Sequence, residues 1–179
     1  MASTNKTKYL RLNQWAETDP VLCGDFNADN SLLDTAIHNR ALERITTKTI
    51  TSATNTISFS LADYDFSVYA QLEILLMPIT STTSVSGGAM TTLTANGSTS
   101  GVSLARMSSD GTRGLIVHLM ALPGGMGGFY FAPGGTASGG FLLPGSVKAA
   151  SLRSLELRCG DSATYNSGTV CTLYGIRHN

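Results

Sequence analysis

Residues 66–77 read Phe66-Ser-Val-Tyr-Ala-Gln-Leu-Glu-Ile-Leu-Leu-Met77, alternating polar and apolar at first and then running apolar up to Pro78. Strand side chains point to opposite faces in turn, so such alternation marks a β-strand with one face toward a core. Just upstream, Thr56-Ile-Ser-Phe-Ser-Leu61 alternates throughout. Further strand candidates follow at 84–86, 90–94, 101–107, 114–121, 128–132, 141–143, 151–158 and 170–177, separated by turns rich in Gly, Ser and Asn. About eight short strands with no intervening helices predict a mainly β protein, an antiparallel β-sandwich or jelly-roll-like domain over 46–179.

Ahead of this domain the pattern changes. Asn30 or Ser31 suits a helix N-cap, and Asp34 stands three residues after Ser31 in a capping-box-like arrangement. Leu33, Ile37, Ala41 and Arg44 share one helical face, which predicts a short helix over 31–45 with a narrow apolar stripe. That stripe suits a homo-oligomer seam through Leu33, Ile37 and Ala41, although two heptads do not hold an oligomer alone. The β-branched and hydroxyl run at 46–56 returns the chain to an extended form. Residues 1–30 are polar and follow no lasting period, yet they hold Tyr9, Leu10, Leu12, Trp15, Val21, Leu22 and Phe26. Such isolated anchors read as an extended arm that docks its apolar groups into a partner.

Charged residues make up 13% of the chain, about half the usual share, with Ser, Thr, Gly, Asn and Ala in their place. A surface of that kind loses little on desolvation and suits repeated subunit contacts. Formal net charge is zero, with 12 basic and 12 acidic residues, so there is no basic stripe for nucleic acid. No apolar run reaches the ~18–20 residues of a membrane span, and residues 1–9 lack a signal-peptide core, so no membrane insertion and cytoplasmic synthesis are expected. Cys23, Cys159 and Cys171 are too few and too scattered for a disulfide framework or zinc site, and read as small buried hydrophobes.

Residues 122–144, LPGGMGGFYFAPGGTASGGFLLP, carry four glycine pairs around two aromatic-rich strands. Phe129, Tyr130, Phe131 and Phe141 each offer roughly 150–250 Å² of surface, which argues for a hairpin-like protrusion whose aromatics meet a neighbouring subunit or another surface. Signals for catalysis are sparse. His38, His118 and His178 form no metal-ligand spacing, and His118 within LIVHLMAL reads as a satisfied core or interface histidine. There is no GxSxG elbow and no phosphate loop. Asp63 and Asp65 sit together in LADYDFS and read as turn-formers rather than as a glycosidase pair. No catalytic residue, metal or cofactor is implied, and the expectation is a non-enzymatic protein.

One stretch is more specific. Tyr9-Leu-Arg-Leu-Asn-Gln-Trp15, Asp19-Pro-Val-Leu22, Asp25-Phe-Asn-Ala-Asp-Asn30 and Leu33-Asp34 resemble the N-terminal signature of phage and prophage tail-fibre or baseplate-associated proteins, over about residues 9–37. Leu33 takes the place usually held by Ile, and Cys23 one often held by a polar residue. The ending Leu173-Tyr-Gly-Ile-Arg177 is similar to the closing strand of many phage fibre β-domains. The resemblance implies particle attachment through Leu12, Trp15, Asp19, Val21, Asp25, Phe26, Asn27, Asp29 and Asn30. It also implies a displayed, commonly trimeric β-domain, other tail or baseplate proteins as partners, and location in the virion tail. Tail fibres often bind host-surface glycans, which makes Phe129 and Tyr130 the sugar-facing candidates and Phe129, Tyr130 and Phe131 the receptor or subunit contact. The competing expectations are a purely structural tail or capsid-surface protein and a glycan depolymerase, the latter lacking its carboxylates.

Overall fold

The computed structural model describes residues 5–8, 10–16, 22–40, 42–78, 89–107, 114–132, 137–145, 147–160 and 162–177. The chain forms two compact units, one of residues 1–41 with 177–179 and one of residues 42–176.

The first unit holds two short strands, β1 (Asn5–Lys6) and β2 (Asn13–Gln14), paired antiparallel with Lys6 opposite Asn13, and one helix, α1 (Cys23–Arg40). The helix corrects the expected span of 31–45: it begins eight residues earlier and ends five earlier. Asn30 and Ser31 are interior rather than capping, and the arm is not extended over 1–30, since 23–30 is helical and 5–14 carries a hairpin. Local propensity argued against helix in a segment rich in Asp, Asn and Ser, because such side chains compete for backbone hydrogen bonds. Here the competition is removed. Asp29 spends its carboxylate on Asn13, and Thr35 donates back to the Ser31 carbonyl at 2.8 Å without breaking the helix. Asp25 in the first turn also complements the helix dipole. The expected final turn is instead taken by a strand.

The second unit is a β-sandwich. Its strands are β3 (Glu43–Thr49), β4 (Thr56–Ser60), β5 (Tyr69–Met77), β6 (Ala89–Ala95), β7 (Val102–Met107), β8 (Leu115–Leu122), β9 (Gly125–Phe131), β10 (Ser138–Leu142), β11 (Ser154–Cys159) and β12 (Val170–Arg177). One sheet has the order β10-β9-β8-β5-β12-β3, and the other β4-β11-β6-β7. The candidate strand at 84–86 lies outside the described residues. The hairpin at 125–142 is no protrusion: β9 pairs with β8 and carries β10 to the sheet edge.

At the centre, β5 and β8 pair in a register that sets Leu72 opposite Leu119, Ile74 opposite Val117 and Leu76 opposite Leu115, all six buried. With Ile57, Phe59, Leu93, Leu155, Leu157 and Leu173 they form one core cluster. Full burial of each such side chain is worth about 1.5–3 kcal/mol. Inside the sandwich the Tyr165 hydroxyl and Thr91 Oγ1 lie 3.2 Å apart, within hydrogen-bond reach. Burial pushes the Tyr165 hydroxyl and the Cys171 thiol well above their ordinary titration ranges.

Turn chemistry follows the sequence. Asn96 (φ 52°) and Gly97 (φ 69°) form a left-handed pair after β6, with Ser98 N–H donating to the Ala95 carbonyl, as a type I′ turn requires. Asp65 caps the 3₁₀ turn Phe66–Val68, accepting from Ser67 N–H at 2.9 Å and from its hydroxyl at 2.6 Å. Those bonds from Ser67 hold the Asp65 carboxyl below the usual range. Cys159 and Cys171 are buried as expected, whereas Cys23 is exposed because it opens α1.

The glycines of β9 permit a close pairing. A Cβ at Gly128 would stand 1.8 Å from the His118 carbonyl oxygen, and backbone cannot yield as a side-chain tip can. Gly128→Ala is expected to destabilise the sandwich by at least about 3 kcal/mol, the upper end of ordinary overpacking, whereas Gly124→Ala, with open space around it, should change the denaturation midpoint little. Chemical denaturation of the two variants checks this. Titration with an aromatic disulfide reagent at neutral to mildly alkaline pH should modify Cys23 alone in the native chain and all three cysteines once it is unfolded.

Candidate functional site

In the first unit the two halves of the N-terminal motif meet. The Asn13 N–H donates to both carboxylate oxygens of Asp29, at 3.0 and 2.9 Å, and the Asn13 side-chain amide donates to Asp29 Oδ1 at 2.9 Å. The same amide reaches the Asp25 carbonyl at 3.4 Å, and Lys6 Nζ donates to Asn13 Oδ1. Asp29 is only 7% exposed, so its charge is held by three bonds from one residue sixteen positions away. Leu12 closes the turn before it: its N–H donates to Thr7 Oγ1 and its carbonyl accepts from Thr7 N–H. Asn13 was part of the quoted motif but not among the chosen site residues. Its isolation from Asp29 in the chain hid the pairing.

The remaining attachment candidates divide by face. Asp25, Asp29, Leu33 and Ala36 lie on the more buried side of α1, at helical spacing. Phe26 (54% exposed), Leu22, Leu32 and Ile37 (67% exposed) present apolar surface outward. Asn27 and Asn30 are exposed, Asn27 donating weakly to Cys23 Sγ at 3.6 Å. Trp15 Nε1 and Asp25 Oδ2 are buried with no hydrogen-bond partner in the structure. Asp19, Val21 and Ala41 lie outside the described residues.

In the sandwich, alternation along β9 separates the aromatic trio. Phe129 and Phe131 are about half exposed on the outer face of the six-stranded sheet, while Tyr130 is partly buried and packs against the core cluster. Phe129 and Tyr130 therefore do not form one contact surface, because adjacent strand residues point oppositely. Tyr130 instead covers Gly139 on β10, its ring 3.1 Å from where a Cβ would stand. Phe129 stacks on the His118 ring, with centroids 4.5 Å apart and planes at 27°. His118 stands directly opposite Glu73 on β5. Its Nδ1 lies 2.6 Å from Gln71 Nε2 and 3.2 Å from Glu73 Oε2.

Outward-facing Met77, Leu122 and Leu142 (59% exposed) extend this cluster into an apolar patch. Sequence reasoning did not single out Gln71, Glu73 or His118 as a group. The signal was there in form: each is a polar residue at an outward position of an otherwise apolar strand. A recess of about 620 Å³ is lined by residues including Thr54, Asn55, Cys159, Ser162 and Thr164. It presents hydroxyls and an amide, and no acid–base pair among the described residues.

No protein-family model, curated protein or solved structure matches this chain.

The Asn13–Asp29 network gives a direct test. Asp29→Ala strands a buried N–H and amide, which costs about 2–3 kcal/mol and should lower amide-exchange protection in α1 by about 30- to 150-fold. Asp29→Asn keeps one acceptor oxygen and should lose less. Protection in β5 and β8 serves as the internal reference, and an unchanged α1 would show that the network contributes nothing to the unit.

Proposed function

We propose that this chain is a structural component of a bacteriophage tail, a tail-fibre or baseplate-associated protein. In this reading the N-terminal unit attaches to the particle, and the β-sandwich mediates oligomerisation, as a homotrimer in the form the resemblance implies, and contact with the host surface. The observation that carries it is the Asn13–Asp29 network. The two most specific parts of the motif are joined by buried hydrogen bonds, which gives the motif a structural reason to exist as a unit. That unit leaves Phe26 and Ile37 exposed on one helix, and exposed apolar anchors on a small rigid element are what a docking segment offers a partner.

The sandwich adds further support. Its low charge and apolar outer patch suit a subunit that is covered in an assembly. Leu33 is partly buried in the first unit, so of the described helix positions assigned to an oligomer seam Ile37 is the open one.

The test uses tail particles purified from cells producing the full chain. The wild-type chain should co-sediment with particles, and the Phe26→Asp/Ile37→Asp double variant should remain free while its circular dichroism is unchanged. Absence of the wild-type chain from particles would overturn the reading. Equal incorporation of both chains would move attachment away from this helix.

A further inference from the structure

The outer face of the β10–β9–β8–β5 half of the large sheet exposes Met77, Leu122, Phe129, Phe131 and Leu142. Contiguous apolar patches of more than a few hundred Å² mark interaction sites on soluble proteins. The character of this patch selects the class of partner. A glycan site sets several unspent hydrogen-bonding groups beside an aromatic face. Here the polar side chains on the outward rows are Gln71, Glu73, His118 and Ser138, and the first three are turned on one another. Aromatics and Met with charge nearly absent is the composition of the buried centre of a protein interface, and homomeric interfaces are the most apolar.

The extent fits the same partner. Four strands about 4.8 Å apart and about seven residues long span roughly 19 × 23 Å, so two such faces remove roughly 900 Å², the size of a weak, reversible interface. Closed homo-oligomers bring the same face of each copy together around a symmetry axis.

We propose that this face packs against another copy of the chain, and that His118 makes the contact depend on proton concentration. The inference rests on reading the sandwich as the assembling part of a tail protein. On the outward rows of β5, β8, β9 and β10, Glu73 and His118 are the titratable groups among the described residues. Gln71 on β5 and Phe129 on β9 flank the imidazole, and β10 presents Gly140 opposite Phe129.

Two hydrogen bonds compete at one ring nitrogen. With Nδ1 unprotonated, its lone pair accepts from Gln71 Nε2, and the Glu73 carboxylate has no donor from the ring. With both ring nitrogens protonated, Nδ1–H donates to Glu73 Oε2 and the pair carries no net charge. The neutral tautomer with its proton on Nδ1 makes the same bond but leaves the pair one net negative charge. Covering the face with apolar surface penalises a net charge there, so the covered state favours the cationic ring paired with the carboxylate. The associated chain then binds more protons than the free one. Association therefore strengthens as pH falls and weakens as pH rises.

Sedimentation equilibrium on the purified full chain, without particles, tests this. The wild type should sediment at a multiple of the chain mass, associating about tenfold more tightly near pH 5.5 than near pH 8. Glu73→Gln should associate near pH 8 as tightly as the wild type does near pH 5.5, and should no longer strengthen as pH falls, since a cationic His118 would then lack its counter-charge. Phe129→Asp, at an exposed position, should give a folded monomer at both pH values. A wild type that stays monomeric, or an assembly unaffected by Phe129→Asp, overturns the interface. Equal wild-type association at both pH values overturns the proton linkage. A monomer that binds an oligosaccharide probe, and loses it in Phe129→Asp, assigns the face to a glycan instead. A chain that associates as stated but never joins a particle fails only the tail reading.

Discussion

The register between β5 and β8 is the constraint on which the rest depends. Leu72, Ile74 and Leu76 face Leu119, Val117 and Leu115 inward, while Gln71, Glu73 and Leu75 face Met120, His118 and Ile116 outward. A slip of one residue would move the whole inward set to the surface and bury the carboxylate and imidazole in its place. One pairing thus holds the core together and brings Glu73 and His118 side by side. The apolar outward positions at Leu75 and Ile116 are the cost of that arrangement, since a sandwich face open to water would ordinarily carry polar residues there.

Around this centre the glycines of β9 act by subtraction. Gly128 lets β9 approach the His118 carbonyl, and that approach carries Phe129 onto the imidazole. Gly139 leaves room for the Tyr130 ring, which holds the edge strand β10 in place from the core side. Further along the sheet, Gly175 on β12 lies against the Tyr69 ring of β5, where a Cβ would come within 2.4 Å. The N-terminal unit relies on a different device, a buried carboxylate satisfied by a single asparagine. Both devices place a side chain by fixing the backbone beneath it.

The β-sandwich was legible because period-two alternation survives in 56–61 and 69–77, and because Gly, Asn and Pro punctuate the strands. β3 was harder to read as a strand: Thr46, Thr47 and Thr49 show no apolar alternation, and its pairing with β12 comes from sequence 120 or more residues away. The helix was placed late for the same kind of reason, since Asp29 looks like a helix breaker until its partner Asn13 is known. The aromatic trio was legible as a contact feature but not as to which side each ring faces. Strand parity at β9 depends on where pairing with β8 begins, and the surrounding glycines carry no polarity signal. The Gln71–Glu73–His118 group lay hidden because its members are 47 residues apart at the widest hydrogen bond.

The position of β12 has a consequence for how the chain folds. It inserts between β5 and β3, and the Thr47 and Thr172 hydroxyls it aligns are 125 residues apart. The Asn13–Asp29 bonds close a loop of only sixteen. During synthesis the N-terminal unit can therefore form early, while β5 and β3 wait for the last strand with their backbone groups unpaired on the side it will fill. Non-local pairings of this kind slow folding, and an unpaired, apolar strand edge invites pairing with other nascent chains. The speed with which β12 is captured sets how long that edge stays open, and so how much of the newly made protein reaches the native sandwich.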